Sequence, residues 1–200
     1  MKKSVNIVKA KWLRIDEHTN ALNYLEMLNK FVSKVNENKI YWKWVMISLH
    51  GAMYGFAVSA IRRTNSESVV IRTKNGERLI SFNEALRRCQ DRSWIQYPLL
   101  AEVLILTESQ KNSIRKMKNL FRNEFINFKP KGWSIEIHYL IRITLDCLEV
   151  IRFLGMQTYS GYRYNINKQR KVKSLVFQTK KFIKGLDLFK EIKIVEERVK

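Results

Sequence analysis

Prolines and glycines are scarce in this 200-residue chain, which has 2 and 7 of them. So few chain breakers argue against collagen-like or linker-rich organisation, and no glycine-rich loop is present to cradle a nucleotide phosphate. The 2 cysteines, Cys89 and Cys147, lie far apart and form no ligand spacing with the 3 histidines, His18, His50 and His138. Neither a zinc site nor a disulfide framework is indicated, so no metal and no cofactor is expected, and reduced thiols suggest a cytoplasmic protein. No paired metal-binding carboxylates and no Ser-His-Asp order stand out. Met1-Lys2-Lys3 leads into a mixed polar stretch rather than an apolar core, so no secretory signal is expected.

Acidic residues are the other shortage. Against 38 Lys and Arg stand only 18 Asp and Glu, a formal charge of +20. Such a field attracts polyanions: RNA, DNA or an acidic partner protein. A solvated lysine-rich surface would carry the same charge for solubility alone. Two stretches concentrate it: Lys111 to Lys131 holds 7 basic residues and 1 acid, Glu124, and Gly161 to Lys200 holds 12 basic residues and 4 acids.

What is present in quantity is apolar surface. With 46% hydrophobic and 12% aromatic residues the chain can bury the core of one domain. From Glu17 to Val35, Leu22, Leu25, Leu28, Val32 and Val35 recur at three and four, which predicts a helix with Asn23, Glu26, Asn29 and Lys30 off the stripe. Lys39 to Arg63 predicts a second helix. Its segment Trp44 to Ile61 lacks Asp, Glu, Lys and Arg and just meets the length of a membrane span. Tyr41, Trp42 and Trp44 at one end and Arg62 and Arg63 at the other resemble interface anchors. Ser48, His50 and Ser59 dilute it, however, and the surrounding helices each need an apolar surface to cover, so a central bundle helix without a membrane is expected. The small residues Gly51, Ala52, Gly55, Ala57 and Ala60 suit a close neighbour or a twofold contact, and a homodimer is expected.

Between Val69 and Ile80 the period changes, and Asn75-Gly76 predicts a type I′ hairpin turn. A short helix around Asn83 to Gln90 follows. Arg72, Lys74, Arg78, Arg87, Arg88 and Arg92 make this insertion either a nucleic-acid surface or a solvated lobe. Tyr97-Pro98 breaks the chain before the apolar run Leu99 to Leu106. Thr107 and Gln110 then have capping-box spacing, opening a third main helix with Ile114, Met117, Phe121, Phe125 and Phe128 on one stripe and Lys129-Pro130-Lys131-Gly132 at its end. Trp133 to Gly155 predicts the fourth helix, with Arg142 and Asp146 paired on its exposed face. Tyr159 to Lys168 reads as a loop that interleaves aromatics with cations, Val172 to Ile183 as a basic helix, and the last fifteen residues are ambiguous. The expected fold is mainly α: a four- or five-helix bundle over 17–156 with a β-hairpin insertion near 69–82, an N-terminal arm over 1–16, and a basic extension over 157–200 packed on the bundle.

Arg122-Asn123-Glu124-Phe125-Ile126-Asn127 falls at the end of the third helix. It resembles the Arg-Asn-x-x-x-His signature of HEPN domains, helical bundles that often cleave RNA. Arg122 matches the motif arginine, Asn123 the polar residue after it, and Asn127 the histidine position. The resemblance implies metal-independent attack of a ribose 2′-hydroxyl on the neighbouring phosphate, at a site shared across a homodimer, in a defence or toxin–antitoxin setting. Arg122 can contact phosphate oxygens bidentately and Asn123 can orient the contact, but Asn127 cannot move a proton, which costs about 10² to 10⁴ in rate. His138, early in the next helix, is a candidate substitute base, and a half-buried histidine on the Ile137 and Ile141 stripe is the bland alternative. His50 reads as a hydrogen-bonded core residue. Lys118, Lys129, Lys131, Arg170 and Lys171 join Arg122 as candidate nucleic-acid contacts. Three functions remain: a degenerate RNA-associated protein that binds RNA or a partner protein, an active endoribonuclease with another base, and a structural dimerisation module in which Arg122 is merely an exposed helix cation and Asn127 a helix cap.

Overall fold

Asp16 opens the first helix. Its carboxylate accepts from the Thr19 backbone N–H at 2.6 Å, while the Thr19 hydroxyl accepts from the Asp16 N–H at 2.9 Å, so two otherwise orphaned donors are satisfied reciprocally. In the computed structural model, which describes residues 11–62, 66–95, 102–126, 132, 134–157 and 166–198, this helix, α1, spans Glu17–Val32. Leu22, Leu25, Leu28, Val32 and Val35 are all buried, as their spacing predicts.

The second helix, α2 (Tyr41–Ile61), is the centre of the bundle. It packs against α1, against α3 (Phe82–Cys89) and against α6 (His138–Met156). Its length and hydropathy would suit a membrane span, and 67% of that apolar window is buried inside the protein. The small residues serve α1 of the same chain: a Cβ on Gly55 would lie 2.7 Å from the Ala21 Cβ, and one on Gly51 2.7 Å from the Tyr24 ring. They therefore give a twofold contact no separate support.

Strands β1 (Val70–Thr73) and β2 (Gly76–Leu79) form the hairpin, with Thr73 paired to Gly76 and Val70 to Leu79. The turn differs from the expected type I′. Lys74 and Asn75 occupy it, and positive φ is confined to Gly76 (φ 111°), with no non-glycine residue positive among those described. A turn followed by glycine at positive φ needs a left-handed backbone only after the two turn residues, so Asn75 is spared it. Arg88 of α3 anchors this lobe: its Nη1 donates to the Ser68 carbonyl at 2.7 Å, its Nε to Glu84 at 2.7 Å, and its guanidinium lies 3.9 Å from the Trp94 ring centroid. With Arg87 also on Glu84 and Arg72 on Glu77, much of the lobe's positive charge is spent internally.

Thr107 caps α4 (Glu108–Lys116) through the expected capping box with Gln110. The helix then widens into a π-helical segment, Met117–Arg122, before α5 (Asn123–Ile126). Helix α6 begins at His138, five residues later than the sequence suggests; Ile137 at its N-cap position supplies no side-chain oxygen to support an earlier start. Asp146 is not paired with Arg142 on an exposed face. Ser109 and Ser113, one turn apart on α4, both donate to it at 2.7 and 2.6 Å and pin α4 to α6. Beyond α6, α7 (Ile166–Gly185) packs on α1 and α6, and α8 (Asp187–Arg198) follows. The polar flank of α1 receives α7: Asn29 donates to the Thr179 hydroxyl at 3.0 Å, and Glu26 pairs with Lys171. The fold class is thus mainly α, with one small antiparallel hairpin among the described residues.

Candidate functional site

The π-helical segment decides where Arg122 points. Met117 is fully buried and faces the core. In a regular α-helix Arg122, five residues on, would lie about 140° away from it and face solvent. One extra residue absorbed in a wide turn reduces the offset to that of a four-residue step, about 40°. Arg122 is accordingly half-buried rather than an exposed helix cation. Its Nη1 donates to the Asn123 Oδ1 at 2.9 Å, so the adjacent asparagine fixes the guanidinium. Its Nε is buried and has no hydrogen-bond partner among the described residues.

The segment packs against α2, and the α2 residue that meets it electrostatically is His50. His50 is buried, with 8% of its surface exposed, and stacks on Phe82 of α3 at a centroid distance of 4.5 Å. Tyr54, one turn along α2, lies 6.1 Å from the His50 ring and donates its hydroxyl to the Ile80 carbonyl. Burial first, then the Arg122 guanidinium and the Lys118 ammonium, hold the imidazole down at about 4. At neutral pH His50 is therefore an uncharged group beside two cations. Half-buried Lys118 and Arg122 come from the same wide turn. Two cations, one buried unpartnered N–H and a neutral imidazole make an arrangement suited to an oxyanion.

Comparison with known proteins gives the chain no family. No family model, curated protein or solved structure matches it.

His138 occupies the first turn of α6, half-exposed, with its Nδ1 3.7 Å from Glu136. Lys171 pairs with Glu26 and helps seat α7 on α1, while Arg170 beside it is exposed. Asn127, Lys129 and Lys131 lie outside the described residues, as does most of the aromatic and basic stretch from Tyr159 to Lys168. Cys89 and Cys147 are buried, and burial pushes the Cys89 thiol up to about 12, so neither is poised as a nucleophile. Among the described residues no group of three or more His, Cys, Asp or Glu side chains is placed to hold a metal ion.

Arg122 and Asn123, adjacent in sequence, are joined by a hydrogen bond, Lys118 lies in the same wide turn, and His50 is the residue that the sequence does not place with them. Its only sequence signal is a lone histidine in a helix otherwise free of Asp, Glu, Lys and Arg between Trp44 and Ile61. That pattern marks a buried imidazole without saying which distant cation faces it.

Proposed function

We propose that this protein is an RNA-associated helical bundle of HEPN-like type, which holds a backbone phosphate on Arg122 and lacks the proton carrier of the motif at Asn127. The observation that carries the proposal is the Arg122 guanidinium itself. It is turned inward by a wide helical turn and braced by Asn123, and its buried Nε lacks a partner among the described residues. Buried donors are nearly always hydrogen-bonded, so an orphaned guanidinium N–H calls for an acceptor. Lys118 in the same wide turn and the +20 charge of the chain favour an anion. The choice of RNA rests on the resemblance of Arg122-Asn123 and Asn127 to the HEPN signature.

The purified full-length protein is expected to bind single-stranded RNA with an affinity that falls as salt rises, and to leave the RNA intact. Asn127→His is expected to introduce cleavage that persists in a chelator. Absence of RNA binding even at low salt would contradict the proposal. Cleavage by the natural sequence, abolished in Arg122→Ala, would select an active endoribonuclease instead.

A further inference from the structure

We propose that the outward face of α7, with the cleft it shares with the end of α1, is a track for single-stranded nucleic acid. Arg170, Lys173, Lys181 and Lys184 hold backbone phosphates, Phe177 stacks on one base, and the cleft receives another. The track is separate from the phosphate-holding role of Arg122 and stands without it.

Helix α7 carries 7 Lys and Arg over its 20 residues and no Asp or Glu. Packing sorts these cations. Val172, Val176, Thr179 and Ile183 are buried against the bundle, and at the flanks of that stripe Lys171 pairs with Glu26 of α1 and Lys180 with Glu149 of α6. Arg170, Lys173, Lys181 and Lys184 are all exposed, and none of them forms an ion pair among the described residues. At about 100° per residue, these four and Phe177 share one stripe about 80° wide that runs about 21 Å along the helix, opposite the buried one. Phe177 stands in the middle of it, 70% exposed.

An exposed ring among cations suits two polyanionic partners, a nucleic acid whose bases stack on it or a lipid surface that it enters. A membrane-seeking helix presents a broad apolar face to the lipid, whereas α7 turns that face to the bundle and leaves Phe177 among cations. A base offers one ring a flat partner, and only an unpaired strand has base faces free to stack. The cleft fits the same ligand. It has a volume of about 430 Å³ and lies between Val32, Ser33 and Asn36 at the end of α1 and Gln178, Lys181 and Phe182 of α7. Apolar Val32 and Phe182 with the amides of Asn36 and Gln178 and the Ser33 hydroxyl suit a flat heterocycle with polar edges. The cleft adjoins the partially negative C-terminal end of α1, which favours an uncharged base over a phosphate. Lys181 belongs both to the cleft and to the cationic stripe, so base and backbone are held side by side.

The test measures binding of the full-length protein, over a range of salt, to a short single-stranded RNA, to the same sequence as a duplex and to anionic phospholipid vesicles. Phe177→Ala, at an exposed position, is expected to weaken single-strand binding by about five- to a hundredfold with the salt slope and duplex binding unchanged, and Phe177→Trp to retain it. Asn36→Trp, which fills the cleft from an exposed position, is expected to weaken single-strand binding as well. Lys173→Gln combined with Lys181→Gln is expected to flatten the slope by about 1 for each lysine. Single-strand binding that falls in Arg122→Ala and is unmoved by these variants would overturn the track and leave the Arg122 reading standing. The reverse pattern would support the track and refute that reading. Vesicle binding that depends on Phe177, without single-strand binding, would overturn the track in favour of a lipid surface.

Discussion

A neutral imidazole buried beside two cations has a thermodynamic cost in acid. The His50 midpoint is about 4 in the folded protein, against an ordinary 6.5 in the unfolded chain. Above pH 6.5 both states leave it neutral and its contribution to stability is complete. As pH falls toward 4 the unfolded chain takes up the proton and the folded one does not, so about 3 kcal/mol is lost across that window. Denaturant melts of His50→Gln are expected to fall less steeply than those of the natural protein between these limits. Parallel curves would show that His50 is not held neutral. His18, also held below its ordinary range by burial and then by the Lys168 charge, contributes a slope of the same sign. It is present in both proteins, so the difference isolates His50. That His50 was buried could be read from its apolar neighbours in sequence. Its electrostatic relation to Arg122 could not, because it links distant parts of the chain.

At the scale of elements, much was legible where local signals and packing agree. The Leu22, Leu25, Leu28 and Val32 stripe fixed α1, and the Thr107 and Gln110 spacing fixed the start of α4. The hairpin was legible from Asn75-Gly76, although its turn was not, because pairing register and not composition decides whether glycine lies inside the turn or just after it. The π-helical segment was invisible to a reading based on a period of 3.6, since the wide turn changes the phase of all that follows. Deleting the exposed Asn119 removes the extra residue of the wide turn, so a regular helix leaves Arg122 four residues from Met117 and still facing inward. The expected result is a protein that still melts cooperatively and binds RNA clearly better than Arg122→Ala. Binding as weak as that of Arg122→Ala after the deletion would show that the inward direction of Arg122 is not what holds the RNA.

For the whole molecule, charge and architecture divide the cations into two groups. Arg62 on Glu17, Arg88 on Glu84, Lys171 on Glu26 and Lys180 on Glu149 hold elements together, three of the four joining different helices or a helix to its flank. Their worth is structural, and exposed pairs among them contribute little individually. Lys118 and Arg122 differ, because they share one turn, act on one imidazole and include a buried unpartnered donor. A charge of +20 supplies general attraction for polyanions, so affinity alone does not separate this site from the rest of the surface. The salt dependence of binding does, because each phosphate contact contributes its own increment to the slope. The most direct test compares the slope of log affinity against log salt for single-stranded RNA between the natural protein and Arg122→Ala. A slope shallower by about 1 in the variant, with weaker binding, is the predicted result. Identical slopes and affinities would contradict a phosphate held at Arg122.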